Sequence, residues 1–338
     1  MLIHRAEPLN CETPVGALGD SVTANAHFYV RNHFQVPASD ADTWKLEVTG
    51  LVERPLAMSL TDLIRLPSET HAVLLECAGN GRRFLSPATP GEQWERGAVS
   101  TAEWTGVPLA VVLDRAGVRP GATDVVFRGT DHGSVSGSTG EVSFERGLSL
   151  ATARDGEILL AYAMNGEALP IQHGFPLRMI VPGWYGVASV KWLHAIELTD
   201  HPFVGHFQTT TYQYEVEGAS YAVTLQRVKS LIIEPTEGAD LPRGETIVRG
   251  VAWSGAAAIA RVEVSVNGAE WQDARLVGER RPHSWQQWEL RARLERPGDV
   301  TVRARATDLA GRTQPESPTW NRQGYGNNAV HAVSFRVA

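Results

Sequence analysis

Two cysteines, Cys11 and Cys77, are all that the 338 residues contain. That scarcity excludes a disulfide framework and any four-thiolate zinc or iron–sulfur site built from one chain. The C-x-x-C-H motif of covalent heme attachment is absent as well. Basic residues are in deficit: 31 Lys and Arg against 38 Asp and Glu give a net charge of −7. A nucleic-acid-binding or anionic-membrane surface needs the opposite balance, so an anionic substrate requires a locally basic pocket. No apolar run reaches the roughly 20 residues that span a bilayer. The opening stretch MLIHRAEPLNCETPVG has neither the apolar core of a secretory signal nor a twin arginine before one. The expected compartment is therefore the cytoplasm, or the periplasm if a leader has been removed. Internal repeats, heptads and low-complexity tracts are missing too.

What is present divides into two unlike parts. A length of 338 residues with 43% apolar and 20% charged residues is more than one core usually supports, and two domains are expected, 1–228 and 229–338. The first part mixes short strands and short helices. SLTDLIRLP (59–67) has a Ser with an acid three residues on, then an apolar run and a stopping Pro, which predicts a brief helix. GVPLAVVLDRAG puts Pro108 at a helix start and Gly117 just past its end, as expected from a residue without an N–H and one free to take positive φ. HAVLLEC (71–77) reads as a strand that breaks into the turn-forming AGNGRR, so Cys77 sits at a strand end. Residues 158–164 form an apolar strand that reaches Asn165-Gly166, a type I′ hairpin pair. RMIVPG and SVKWLHAIEL add two strand-like segments.

From about Ser230 strict alternation takes over. Val262, Val264 and Val266 point one way before a turn at Asn267-Gly268, and Trp288, Leu290, Ala292 and Leu294 alternate likewise, as do Val302, Ala304 and Ala306. A small antiparallel sandwich follows, joined to the first part near the turn-rich stretch 232–245 with its Pro235, Gly238, Pro242 and Gly244. Several of the ten tryptophans fall on this alternating face, where packing explains them. His132, His194, His201, His206 and His283 show no metal-ligand spacing.

Three segments concentrate chemistry. LLECAGNGRR ends a buried strand with Cys77 and follows it with Arg82 and Arg83, whose charge favours thiolate over thiol. HFYVRNHFQVP gathers Arg31, Asn32 and His33 among aromatics. QHGFPLRMIVPGWYGVASVKW delivers His173, Arg178 and Lys191 among glycine turns, a set suited to a buried phosphate. Taken singly, each has a plain structural reading: a small buried thiol, a solvated loop, a surface patch.

Together they resemble the sulfite oxidase family of molybdopterin enzymes, in which RNH-x-x-x-P, CAGN-x-R and HGFP-x-R with a later SVKW recur in this order. The C-terminal part, with WNRQGYGNNAVH near its end, looks like that family's immunoglobulin-like dimerisation domain. The resemblance implies an α+β fold: a mixed α/β molybdopterin-binding domain followed by an all-β immunoglobulin-like sandwich. It implies molybdenum and molybdopterin as cofactors, with Cys77 as the metal's thiolate ligand. Tyr29, Val30, Arg31, Asn32, His33, Asp131, His173, Arg178, Ser189, Val190 and Lys191 would grip the cofactor, Val30 and Val190 through backbone groups. HFQTTTYQY matches the family's W-Q-x-x-x-Y pattern with Phe207 in place of Trp, making Tyr212 a substrate-binding residue, with Tyr214 as the alternative. Arg31 and Arg82 would hold sulfite.

One departure stands out. The family's vertebrate and plant members place an active-site Arg two residues after the Asn of their W-N-x-R-G motif, and this chain reads Trp320-Asn321-Arg322-Gln323-Gly324. Either Arg322 swings in as the catalytic cation, or Gln323 leaves the pocket one charge short and sulfite more weakly held by about 1.5–3 kcal/mol. The activity implied is oxidation of sulfite to sulfate by a homodimer that passes electrons to an external acceptor, for example a c-type cytochrome. Alternatives are the same cofactor acting on nitrate or another sulfur compound, or a non-catalytic β-rich binding module with Cys77 merely buried.

Overall fold

In a computed structural model of the chain, which describes residues 1–216 and 218–338, strands dominate and the helices are short. Only Leu60–Ile64, Leu109–Ala116 and Leu150–Ala153 are α-helical among the described residues, so the molecule is mostly β with few helices. The helix at Leu60 begins with the expected capping: Asp62 N–H donates to Ser59 Oγ at 3.2 Å and Ser59 N–H to Asp62 Oδ2 at 3.0 Å. Leu109–Ala116 follows Pro108 and stops at Gly117, whose φ of +71° lies in the region glycine tolerates.

The N-terminal part carries two five-stranded sheets. One runs Glu167–Ala168, Leu159–Met164, Val99–Pro108 and Glu69–Glu76, with Arg178–Ile180 also paired to Leu159–Met164. The other runs Leu56–Ser59, Lys45–Gly50, Leu193–Thr199, Asp124–Ser134 and Glu141–Ser149, antiparallel except where Leu193–Thr199 lies parallel to Lys45–Gly50. Asn165 and Gly166 turn the chain at φ +52° and +79°, the hairpin expected of that pair. SVKWLHAIEL is strand only from Leu193. Residues 189–192 instead leave the sheet, and Trp192 takes φ +48°. Ser189 and Lys191, which flank Val190 on this irregular backbone, both line a cavity.

Eight strands form the C-terminal unit, in the order Lys229–Glu234, Gly244–Trp253, Gln286–Leu294, Gln272–Val277, Ile259–Val266, Gly298–Asp308, His331–Val337 and Asp240–Leu241. The sheet folds over so that its first strand meets Gly298–Asp308. Its interior holds Val262, Val264, Trp288, Val302, Ala304 and Ala306, the residues whose alternation marked the sandwich. The stretch 232–245 does not link the two parts. It connects two strands of this one unit, because Lys229–Glu234 already pairs with Gly244–Trp253.

Candidate active site

Cys77 follows directly on the Glu69–Glu76 strand, and its N–H still donates to Ala98 O at 2.9 Å, so the sheet fixes where the sulfur can point. The chain then turns tightly, with Asn80 N–H on Cys77 O at 2.9 Å and Gly81 at φ +86°. The thiol faces two cavities at once. One, of about 660 Å³, is lined by Tyr29, Asn32, Asp131, Gln172, His173, Arg178, Ser189 and Lys191 among others. The second, of about 610 Å³, is a funnel lined by Arg82, Gly91, Glu92, Gln323 and Tyr325. Arg31, His33, Cys77 and Tyr212 line both.

The first cavity is cationic on a chain of net negative charge. Arg178 is buried, donating from Nη1 to His173 O at 2.9 Å and from Nη2 to Ser189 O at 3.2 Å, while its Nε has no partner. Lys191 Nζ donates to Asn32 Oδ1 and to Gln172 O, the latter at 3.0 Å. Burial, with Arg178 and Lys191 beside it, pushes the His173 pKa down to about 3, so this imidazole is neutral. Asp131 is the acid of this lining. Burial pushes its pKa up to about 6 against the pull of Lys191, and its Oδ1 has no partner. Gly186 leaves room at the wall: a side-chain carbon there would stand 2.8 Å from Tyr29 Oη. A buried donor without an acceptor, Arg178 Nε, and cations that outnumber acids fit a ligand that brings anionic oxygens, as a phosphate-bearing pterin does.

In the funnel, three glycines hold Arg82 in place. A side-chain carbon at Gly79, Gly91 or Gly324 would lie 2.6, 2.7 or 2.9 Å from its guanidinium nitrogens. Arg82 donates to Glu92 O at 2.9 Å and to Gln323 O at 3.0 Å, with Nε unpartnered. Arg31 Nη2 meets His33 Nδ1 at 2.9 Å, and His33 Nε2 meets Tyr212 Oη at 2.8 Å. A guanidinium only donates, so Nδ1 must accept and the imidazole proton sits on Nε2. Tyr212 Oη therefore accepts from His33, and its own O–H is free to donate into the funnel. Burial followed by Arg31 and Lys191 holds the His33 pKa well below its ordinary value, which keeps that tautomer neutral. Tyr212 itself takes φ +57° and stacks on Tyr325 at 4.8 Å.

The arrangement corrects several sequence expectations. Arg322 does not swing in: it is 70% exposed and grips Glu215, with Nη2 at 2.5 Å from Oε1. Gln323 lines the funnel, but its side chain is tied down, Oε1 accepting from Tyr212 N–H at 3.0 Å and Nε2 donating to Thr210 O at 3.2 Å. Val30 lines neither cavity, and its backbone N–H and carbonyl pair with Cys11 at 2.9 and 3.0 Å. Val190 is likewise occupied, its N–H on Ala188 O and its carbonyl taken by Met179 N–H, and it packs in the main core. Tyr214 lines neither cavity and lies under Arg227, 4.6 Å from guanidinium carbon to ring centre. Nor do the nearby guanidinium groups win at Cys77: burial raises the thiol pKa despite Arg31 and Arg82. Gln172, Tyr325 and Glu92 escaped the sequence reading. The first two lie inside quoted motifs, and Glu92 carries no signal before the chain folds.

Comparison with known proteins agrees with the geometry. The model described as oxidoreductase molybdopterin binding domain matches residues 33–207, and the Mo-co oxidoreductase dimerisation domain matches 220–338. The chain belongs to the sulfite oxidase family. It is 36% identical to mitochondrial sulfite oxidase of Rattus norvegicus over 361 residues, covering 99% of this chain and 65% of that protein. Sulfite oxidase of Gallus gallus is 35% identical, with 97% and 76% covered. Nitrate reductase [NADH] 2 of Phaseolus vulgaris is 33% identical, with 98% of this chain but 41% of that protein covered. Among solved structures, the sulfane dehydrogenase SoxCD of Paracoccus pantotrophus superposes with a TM-score of 0.85 at 29% identity, covering 95% of this chain and 82% of that one. This family member thus spans just under two thirds of the rat relative's length.

Proposed function

We propose that this chain oxidises sulfite to sulfate with a molybdenum–molybdopterin cofactor and passes the electrons to a separate acceptor such as a c-type cytochrome. The observation that carries the reading is the placement of one thiol, Cys77, on the wall shared by a cationic cavity and a more open funnel holding two arginines. Cys77 would bind the metal as thiolate, a soft donor suited to it. Arg178, Lys191, His173, Ser189, Asn32 and Tyr29 would hold the pterin and its phosphate. When bound, the cofactor supplies a two-electron acceptor next to the funnel. Arg31 and Arg82 would receive the sulfite oxygens, and Tyr212, its hydroxyl oriented by His33, would donate to the same anion. Glu92 O and Gln323 O fix Arg82 before the substrate arrives, so little ordering is left to do on binding.

The eight-stranded unit we read as an immunoglobulin-like dimerisation domain that starts near residue 229, and a homodimer mass by light scattering is expected. A monomer at micromolar concentration overturns that part. For the activity, the test is elemental analysis of purified protein with sulfite-dependent dye reduction, run beside nitrate. Molybdenum near one per chain with sulfite turnover supports the reading. Absence of molybdenum, or nitrate reduction without sulfite oxidation, overturns it.

A further inference from the structure

Arg146, in the Glu141–Ser149 strand, is buried to 1% exposure, and none of the described carboxylates forms an ion pair with it. Its Nη1 donates to Phe207 O, its Nη2 to Val223 O at 3.4 Å, and its Nε has no acceptor. Carbonyl partners answer its hydrogen bonds but leave its charge uncompensated, an expensive arrangement for a core. The two carbonyls belong to segments that flank Tyr212. Phe207 lies in the turn His206–Thr210 that leads to it, and Val223 N–H caps Tyr212 O at 2.8 Å. The guanidinium thus clamps both sides of a residue held at φ +57°. Its pKa falls only to about 10, with burial opposed by Tyr212 and Tyr325, so it stays charged at neutral pH behind two phenols of the funnel wall.

The funnel itself is short of charge. Gln323 is neutral and tethered, Arg322 faces solvent, and the Glu92 carboxylate is already paired with Arg5 at 2.5 Å, which leaves Arg31 and Arg82 as the cations of its lining. We propose that Arg146 is a positioning residue of the funnel that holds the Tyr212 turn and supplies, from behind it, positive charge that selects anionic substrates. It lines neither cavity and acts through Tyr212. The proposal deepens the sulfite reading and rests on it.

The test compares Arg146→Lys with Arg146→Gln in the cofactor-loaded protein, reading sulfite KM and kcat and, separately, thermal stabilisation by sulfate. Arg146→Gln keeps a donor for one carbonyl but carries no charge. It should raise sulfite KM about tenfold, weaken stabilisation by sulfate comparably, and leave kcat within about threefold. Arg146→Lys, which keeps the charge, should stay near the parent in KM. Equal KM losses in both variants, or an unchanged KM in Arg146→Gln, overturns the proposal. If the parent protein does not oxidise sulfite, the functional reading fails, while the sulfate measurement still decides the role of Arg146.

Discussion

Lys229→Met would leave a carboxylate buried directly beside the thiol that the functional reading depends on. Glu76, the last residue of its strand, and Lys229, from the first strand of the C-terminal unit, pair at 2.9 Å with each side chain only 2% exposed. Trp253 Nε1 also donates to Glu76 at 2.9 Å and Asn80 Nδ2 at 3.0 Å, so the carboxylate joins the C-terminal unit to the loop after Cys77. Removing one partner of a buried pair costs about 3–5 kcal/mol. Two neutral donors remain, which places the expected loss near 3 kcal/mol. Unfolding entropy of about 2.1 cal/mol/K per residue gives roughly 0.7 kcal/mol/K for this chain, so Tm should drop by about 4 °C. Calorimetry on cofactor-free protein measures the drop. Adding Glu76→Gln to Lys229→Met removes the stranded charge and should recover at least about half of the loss. A Tm within about 1 °C of the parent for Lys229→Met alone would show that the pair contributes almost nothing and would refute the reasoning.

Cys77→Ser should fold and melt like the parent yet lose sulfite turnover, and parent-like rates would remove the metal-ligand assignment. Gly324→Ala places a carbon 2.1 Å from Thr89 Oγ1 and 2.9 Å from Arg82 Nε at φ +67°. Displacing that arginine should raise sulfite KM at least about tenfold, as expected for a lost charge-assisted contact. The His173 pKa is about 3 in the fold against an ordinary 6.5, so the unfolded chain takes up a proton that the folded one refuses. Stability should fall as pH drops from about 6.5 towards 3, and His173→Asn should flatten urea midpoints across that window.

Local chemistry was legible before the fold was. Capping at Ser59, the stop at Gly117, the turn at Asn165-Gly166 and the alternation of Val262, Val264, Trp288 and Val302 are set by neighbours within a few residues, where backbone and side-chain preferences act directly. Cys77 at a strand end was legible for the same reason. The grouping of Arg31, Cys77, Arg178 and Lys191 follows only from the likeness of motifs in their order and spacing, not from any local backbone preference.

Tertiary structure decided everything that depends on direction and distant partners. Adjacent residues Arg322 and Gln323 go opposite ways because Glu215 captures one and the Tyr212 turn the other. Tyr212 and Tyr214 share a strand-like spacing, yet a single left-handed residue turns only the first into the site. Val30 and Val190 lie within the motifs but have their backbone groups paired elsewhere. The Glu76–Lys229 pair and the clamp formed by Arg146 join residues separated by many tens of positions. Sequence by itself determined the motifs that carry most of the chemistry and the local turns that present them, since residue type and local turn preference need no partner. Only the packed chain decided which of them face the same space, because that follows from burial and from competition for distant hydrogen-bond partners.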